Sequence, residues 1–104
     1  MRMSFKMKLY PGKKEEYKKR HDNIWPEMVE MLHKYGASNY SIYLDEETND
    51  LIGYVEVENL DEWNESSKDE INQKWQDYMC DIMVTEENNN NAKCVMLTEV
   101  FHLD

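Results

Sequence analysis

The strongest constraint on the fold is a change in the spacing of apolar residues along the chain. Residues 3–9 alternate between apolar and polar side chains, which is the period of a half-buried strand, and residues 95–103 alternate in the same way. Between these ends, residues 13–22 and 26–35 indicate two helices, and apolar residues from about 69 to 82 recur at helical spacing. The pattern predicts a chain that begins and ends with a strand and carries helices in between.

Proline and glycine mark where these elements begin and end. Pro11 and Gly12 end the first strand, and Gly36 is a natural stop for the second helix. Pro26 cannot lie inside a continuing helix, because its ring clashes with the carbonyl four residues back. It fits the first turn of a new helix, so the sequence predicts a bend shortly before residue 26.

The middle of the chain predicts a hairpin followed by a short helix. Residues 38–45 and 51–58 have the character of strands, and the acidic turn 45–50 between them favours antiparallel pairing. Residues 60–67 indicate a short helix opened by Asp61. The resulting order, β-α(α)-β-β-α(α)-β, is that of the ferredoxin-like α+β fold, in which an antiparallel sheet carries helices on one face.

The predicted sheet has one face that no helix covers. The chain has 104 residues, the size of one domain, so we assign residues 1–104 to a single domain. A second copy of the chain is the simplest cover for the bare face, since closed two-fold dimers are the commonest oligomers. We therefore expect a homodimer.

The charge of the chain argues against two classes of partner, and its cysteines indicate the redox compartment. The chain carries 22 acidic residues against 12 Lys and Arg, a formal charge of −10, which repels nucleic-acid phosphates and anionic membrane surfaces. No apolar run approaches the length of a membrane helix, and the N-terminus has no signal-peptide pattern. Cys80 and Cys94 lack C-x-x-C spacing, so we expect reduced thiols in a cytoplasmic protein.

The sequence lacks the familiar motifs for metal, nucleophilic or phosphate chemistry. Its three histidines, His21, His33 and His102, are scattered, and neither cysteine lies near a histidine in sequence. There is no G-x-S-x-G sequence, and the three glycines are isolated, so no glycine-rich phosphate loop is present. We therefore expect neither a metal site nor a bound cofactor.

The residues best suited to proton transfer at neutral pH lie around His21, at the end of the first predicted helix. Tyr17 precedes His21 by four residues and shares its face of the helix, and the adjacent bend exposes the pair. A helix C-terminus stabilises imidazolium, so we expect the pKa of His21 to lie slightly above its ordinary value. From these residues alone, a surface histidine with Tyr17 and Trp25 in the core is the simpler interpretation.

Several blocks of the sequence resemble the L-rhamnose mutarotase family, in the same order along essentially the whole chain. The first block is EEYKKRHDNIWPEM at residues 15–28, and the second is GASNYSIYLD at residues 36–45. Shorter matches follow, namely EWN at 62–64, QKW at 73–75, YM at 78–79 and EVFHL at 99–103. The segments H-x-x-I-W-P and N-Y-x-I-Y-L-D are specific when they occur together.

The resemblance implies a cytoplasmic homodimer that forms a dimeric α/β barrel and interconverts the α and β anomers of L-rhamnose without a cofactor. It implies that His21 is the proton donor and that Tyr17, Tyr40 and Trp75 contact the sugar. The family usually carries a second tryptophan directly after the one that matches Trp75. Here that position is Gln76, whose amide can bind sugar hydroxyls but offers no stacking face, and we assign it to the substrate site as well.

The implied reaction suits these residue types. Mutarotation needs one proton delivered to the ring oxygen and one removed from the anomeric hydroxyl, and a single acid/base group is sufficient for that. Two other classes fit the predicted fold. A haem-binding or cofactor-free monooxygenase of the dimeric barrel type would use His21 as an iron ligand or a base, and a non-enzymatic module would bind the sugar without accelerating anomer exchange.

Overall fold

A computed structural model describes residues 1–104 and confirms the predicted ferredoxin-like order of strands and helices. The elements are β1 (Arg2–Lys8), α1 (Lys14–Asp22), α2 (Pro26–Lys34), β2 (Ala37–Asp45), β3 (Asp50–Val57), α3 (Leu60–Glu65), α4 (Glu70–Met79) and β4 (Val95–Leu97). A single turn of 3-10 helix, Ser66–Lys68, joins α3 to α4. None of the helices has the length and apolar character needed to cross a bilayer.

The strands form one antiparallel sheet in the spatial order β2-β3-β1-β4. β1 and β3 pair along their whole length, from Arg2 opposite Glu56 to Lys8 opposite Asp50. Gly53 lies directly opposite Phe5, and a Cβ at position 53 would overlap the Phe5 ring. Glycine at this position therefore leaves room for the aromatic ring over β3.

A β-bulge in β2 determines where Tyr40 points. Ser38 pairs with Glu56 and Ser41 with Tyr54, so two residues of β2 stand opposite one residue of β3. Asn39 takes up the extra length with a φ of 46°, a left-handed conformation that asparagine tolerates better than most residues. Because side chains alternate along a strand, the extra residue places Tyr40 on the same face as the strand's inward residues.

The helices cover the sheet face that carries the alternating apolar residues of β1 and β3, and α2 packs against α4. The most deeply buried side chains are Leu9, Leu51, Val55 and Ile82. Three of these, Leu9, Leu51 and Ile82, belong to the main buried cluster, and Val55 belongs to a smaller one. The main cluster also includes side chains from α1, α2, α4 and the segment after α4, namely Tyr17, Met28, Met31, Trp75, Met79 and Met83. Removing this apolar surface from water is the principal stabilisation of the fold.

Polar caps and a proline define the starts of the helices. Asn59 Oδ1 accepts a hydrogen bond from the N–H of Glu62 at 2.9 Å, so α3 is capped at residue 59 and not at Asp61 as predicted. Asp69 caps α4 in the same manner. Pro26 occupies the first turn of α2, as predicted, and follows an extended residue because a proline disfavours helical conformation in its predecessor.

The final strand is shorter than the sequence pattern predicts. β4 spans Val95–Leu97, whereas the alternation extends to residue 103. Leu97 pairs with Ser4 in the last backbone pair between the two strands, although β1 begins two residues earlier at Arg2. Beyond this pair, the Arg2 guanidinium donates to Glu99 Oε1 at 3.0 Å. Phe101 and its apolar neighbours in this segment are largely exposed, with 78% of the Phe101 surface open to solvent.

Candidate active site

A cavity of about 1030 Å³ lies between the helices and the inner face of the sheet. Of the 30 residues that line it, 20 are hydrophobic, which is typical of pockets for small molecules. The cavity brings together all five residues that the sequence assigned to a site: Tyr17, His21, Tyr40, Trp75 and Gln76. His33 and His102 do not line this cavity.

His21 lies in the last turn of α1, half-buried within an aromatic cluster. Its ring stacks on Tyr17 with centroids 4.2 Å apart and an angle of 24° between the planes. The edge of Trp75 approaches the imidazole, with centroids 5.3 Å apart. The interpretation of His21 as a surface histidine beside a bend is therefore wrong, because the helix end is covered by α4.

A backbone hydrogen bond sets the protonation pattern of the imidazole. His21 Nδ1 lies 3.1 Å from the carbonyl oxygen of Tyr17. A carbonyl can only accept, so in the neutral ring Nδ1 carries the hydrogen and Nε2 has a free lone pair. The hydrogen bonds in the structure leave Nε2 without a protein partner.

Burial holds the pKa of His21 below its ordinary value, although the hydrogen bond to the Tyr17 carbonyl and the charge of Asp22 act in the opposite direction. The predicted rise in the pKa is therefore wrong, because the cost of desolvating imidazolium exceeds the effect of the helix end. His21 is neutral at pH 7 and can accept a proton at Nε2.

Tyr17 and Tyr40 bring two phenol groups to the cavity from opposite layers of the fold. Tyr17 comes from α1, and Tyr40 comes from β2, where its ring meets Phe5 edge to face with centroids 6.0 Å apart. Burial raises the pKa of both phenols above the ordinary value. In Tyr40 the buried part is the hydroxyl end of the side chain, because 37% of the whole residue is exposed. Both groups stay protonated at neutral pH, and neither hydroxyl bonds to the protein.

Trp75 forms the wall of the cavity behind His21. Only 5% of its surface is exposed, and its ring contacts Trp25 edge to face at a centroid distance of 5.0 Å. Tyr78 completes the cluster, 5.4 Å from Trp25 and 5.6 Å from Trp75. These contacts fix the ring of Trp75 and leave it rigid at the cavity surface.

Arg20 joins the end of α1 to the end of α4, and the sequence analysis missed it. Its guanidinium donates to Glu16 Oε2 at 2.8 Å, to the carbonyl of Tyr78 at 2.8 Å and to Asp81 Oδ1 at 2.8 Å. The guanidinium also lies 4.8 Å from the centre of the Tyr78 ring. Glu16 and Arg20 are four residues apart, a helical pair that the sequence shows. The partners at and just after the end of α4, Tyr78 and Asp81, have no local sequence signal. Arg20 holds the helix turn that carries His21 against Trp75.

Gln76 lines the cavity and anchors a hairpin that follows α4. Its Oε1 accepts a hydrogen bond from the N–H of Ala92 at 2.9 Å. The hairpin, residues 84–93, is closed by backbone bonds from Lys93 to Val84 at 3.0 Å and from Glu86 to Asn91 at 2.9 Å. The side-chain carbonyl of Gln76 is thus already engaged, and its Nε2 is the group left to contact a ligand.

Comparison with known proteins identifies the family. The family model described as L-rhamnose mutarotase matches residues 2–103. An L-rhamnose mutarotase of Lachnoclostridium phytofermentans is 51% identical over 104 residues, which cover 100% of this chain and 99% of the relative. One from Listeria monocytogenes serovar 1/2a is 55% identical over 97 residues, covering 93% of this chain and 92% of the relative.

Solved structures agree with this assignment. The crystal structure of an L-rhamnose mutarotase from Formosa agariphila superposes with a TM-score of 0.90 at 41% identity, covering 100% of this chain and 99% of that one. A putative antibiotic biosynthesis monooxygenase from Nitrosomonas europaea superposes with a TM-score of 0.63 at 12% identity, over 96% of this chain and 89% of that one, and shares the fold alone. Sequence and structure together show that this chain belongs to the L-rhamnose mutarotase family.

Proposed function

We propose that the protein interconverts the α and β anomers of L-rhamnose by opening and reclosing the pyranose ring. The observation that carries this function is the cavity itself, where a neutral imidazole with a free Nε2 lies beside phenol groups without protein partners. The family assignment over residues 2–103 supports the choice of sugar. The enzyme is accordingly an isomerase.

His21 is the acid/base group in this proposal. Its neutral Nε2 removes the proton of the anomeric hydroxyl, the bond from the anomeric carbon to the ring oxygen breaks, and the carbonyl of the open aldehyde forms. The imidazolium then donates its proton to the ring oxygen, which makes His21 the proton donor of the ring-opening step. Rotation about the bond next to the carbonyl and the reverse proton transfers close the ring on the other face, so no redox change occurs.

Tyr17, Tyr40 and Trp75 bind the sugar around this group. The raised pKa of each phenol keeps it protonated, so the hydroxyls of Tyr17 and Tyr40 donate to sugar oxygens and do not act as bases. The rigid ring of Trp75 offers an apolar surface to the C–H groups of the sugar. Gln76 Nε2 is the fourth candidate contact, since its Oε1 is engaged by Ala92.

A homodimer and a cytoplasmic location complete the proposal. Tyr43, Val95 and Leu97 are exposed on the outer sheet face, and Phe101 is exposed in the segment after β4. A second copy of the chain would cover this apolar surface. Both cysteines are unpaired, in keeping with a reducing compartment. Light scattering should give about twice the chain mass of 12.6 kDa, and a monomer at micromolar concentration would contradict the dimer.

Polarimetry tests the function. Dissolved α-L-rhamnose relaxes spontaneously to the anomer mixture, and the optical rotation should reach its final value faster with wild-type protein. The matched control is His21→Gln, which keeps a polar side chain at the cavity but removes the titrating group. Binding of the sugar with unchanged relaxation would indicate a binding module, and a Soret band in the purified protein would indicate a haem enzyme.

A further inference from the structure

Among the side chains that are not exposed, one oxygen is fully shielded from solvent and has no hydrogen-bond partner, Oδ1 of Asn91. A buried acceptor that lost its water and gained no partner destabilises the folded state, so such atoms are rare and have a reason. A partner for Asn91 Oδ1 from outside the chain would remove this cost.

Asn91 is located where a ligand can supply that partner. It lines the same cavity as His21, and its neighbour Ala92 lines it too. No charged group bonds to its side chain, and its backbone is engaged within the hairpin, where the N–H donates to Asn89 Oδ1 at 2.8 Å. The side-chain amide is thus the only part of Asn91 left to bind a ligand.

The hairpin that carries Asn91 is held on both sides. The Gln76 side chain accepts from Ala92 N–H at 2.9 Å, and Asn90 Nδ2 donates to Asp77 Oδ1 at 3.2 Å. Both partners belong to α4, the helix that also carries Trp75. Gln76 acts here as a positioning residue, since it holds the residue next to Asn91 against the helix that forms the cavity wall.

Asn64 and Asn72 also line the cavity, and Asn91 differs from them in having an oxygen that is shielded from solvent and has no partner. Sugar hydroxyls donate as well as accept, so a complete sugar site needs both kinds of group. The phenols of Tyr17 and Tyr40 are protonated donors, and the carbonyl of Gln76 is engaged by the backbone. We propose that Asn91 Oδ1 is a substrate-binding acceptor that receives a hydrogen bond from a hydroxyl of the bound monosaccharide. This inference rests on the proposed function and adds a specificity contact to the same site.

Replacement of the amide by an apolar group of similar size tests the proposal. Asn91→Leu removes the acceptor, and Asn88→Leu makes the same change at an exposed residue of the same hairpin. We expect the dissociation constant for L-rhamnose, measured by titration calorimetry, to rise about 5–10-fold in Asn91→Leu and to stay within twofold in Asn88→Leu. The melting temperature of ligand-free Asn91→Leu should equal or exceed that of wild type, because the substitution removes an unsatisfied acceptor.

The opposite pattern would overturn the proposal. If Asn91→Leu binds L-rhamnose as wild type does, an internal water satisfies Asn91 and the residue makes no sugar contact. If wild-type protein itself neither bound L-rhamnose nor accelerated its anomer exchange, the proposed function would fail and this inference with it.

A measurement on wild-type protein decides the matter if Asn91→Leu does not fold. The side-chain amide resonances of Asn91 should shift on saturation with L-rhamnose, while those of Asn88 stay in place. Unchanged Asn91 resonances in a protein that binds the sugar would overturn the proposal.

Discussion

His21 donates through Nδ1 to the carbonyl oxygen of Tyr17, and the same Tyr17 stacks its ring on the imidazole 4.2 Å away. Both contacts join residues four apart in α1, so one turn of helix fixes the tautomer and the plane of the ring together. The free Nε2 follows from this pair and needs no group from elsewhere in the fold. The relationship explains why a tyrosine and a histidine at this spacing form a competent acid/base group.

The pH dependence of the rate follows from the buried setting of His21. Burial lowers the pKa of its imidazole below about 6.5, the ordinary value, so the neutral form dominates at pH 7. We expect the exchange rate to be flat above neutrality and to fall as the pH drops through the lowered pKa. A profile whose midpoint lies above about 6.5 would contradict the assignment of the titrating group.

The same shift affects stability in a defined pH window. The unfolded chain binds the His21 proton at a higher pH than the folded chain does, so unfolding is favoured as the pH falls from about 6.5 to the folded pKa. Replacement of His21 by Gln should flatten this part of the stability curve. Urea titrations of both proteins at several pH values measure the difference, and identical curves would argue against a depressed pKa.

His21→Ala should also destabilise the folded protein more than a surface substitution. The imidazole stacks on Tyr17 and meets the edge of Trp75, so its removal leaves a gap between two buried rings. We expect a loss of about 1–2 kcal/mol in the free energy of unfolding, the range of partly buried side chains. His33→Ala, at an exposed position of α2, is the control and should change stability by less than about 0.5 kcal/mol.

Tyr17→Phe separates binding from proton transfer. The raised pKa makes the Tyr17 phenol a poor relay at neutral pH, so we expect KM to rise about threefold to tenfold while kcat changes little. Saturation kinetics of anomer exchange measure both constants. A fall in kcat at unchanged KM would show that Tyr17 transfers a proton and that His21 does not act alone.

Arg20→Gln should loosen the junction between α1 and α4. The Arg20 side chain is 11% exposed and bonds to Glu16, Asp81 and the Tyr78 carbonyl, so we expect a loss of about 1–3 kcal/mol in stability. Lys18→Gln removes a solvated pair with Asp22, in which the side chains are 73% and 61% exposed, and should cost less than about 1 kcal/mol. Equal effects of the two substitutions in urea unfolding would show that Arg20 is not a structural tie.

The element order could be predicted from the sequence because it depends on local signals. Alternation in residues 3–9, the position of Pro26 and the glycine at 36 each act within a few residues. The end of β4 could not be predicted, since the alternation continues to residue 103 while the backbone pairing with β1 stops at Leu97. Strand pairing is a non-local property that an alternating pattern does not contain.

In the site too, features set by neighbouring residues could be predicted, and features set by distant contacts could not. Tyr17 and His21 share a helix face by spacing alone, so their proximity could be predicted. The burial of His21 could not, because it depends on where α4 packs, and this changed the sign of the predicted pKa shift. The position of Tyr40 depends on a one-residue bulge at Asn39, and that of Asn91 on a hairpin anchored to Gln76.

The central claim is that His21 transfers the proton that opens the sugar ring, and saturation-transfer NMR tests it most directly. Irradiation of one anomeric proton of L-rhamnose should reduce the signal of the other when micromolar wild-type protein is present. Under the same conditions His21→Gln should lower the exchange rate by about 10²-fold or more, the contribution expected of an acid/base group. A folded His21→Gln protein that exchanges the anomers at nearly the wild-type rate would contradict the account.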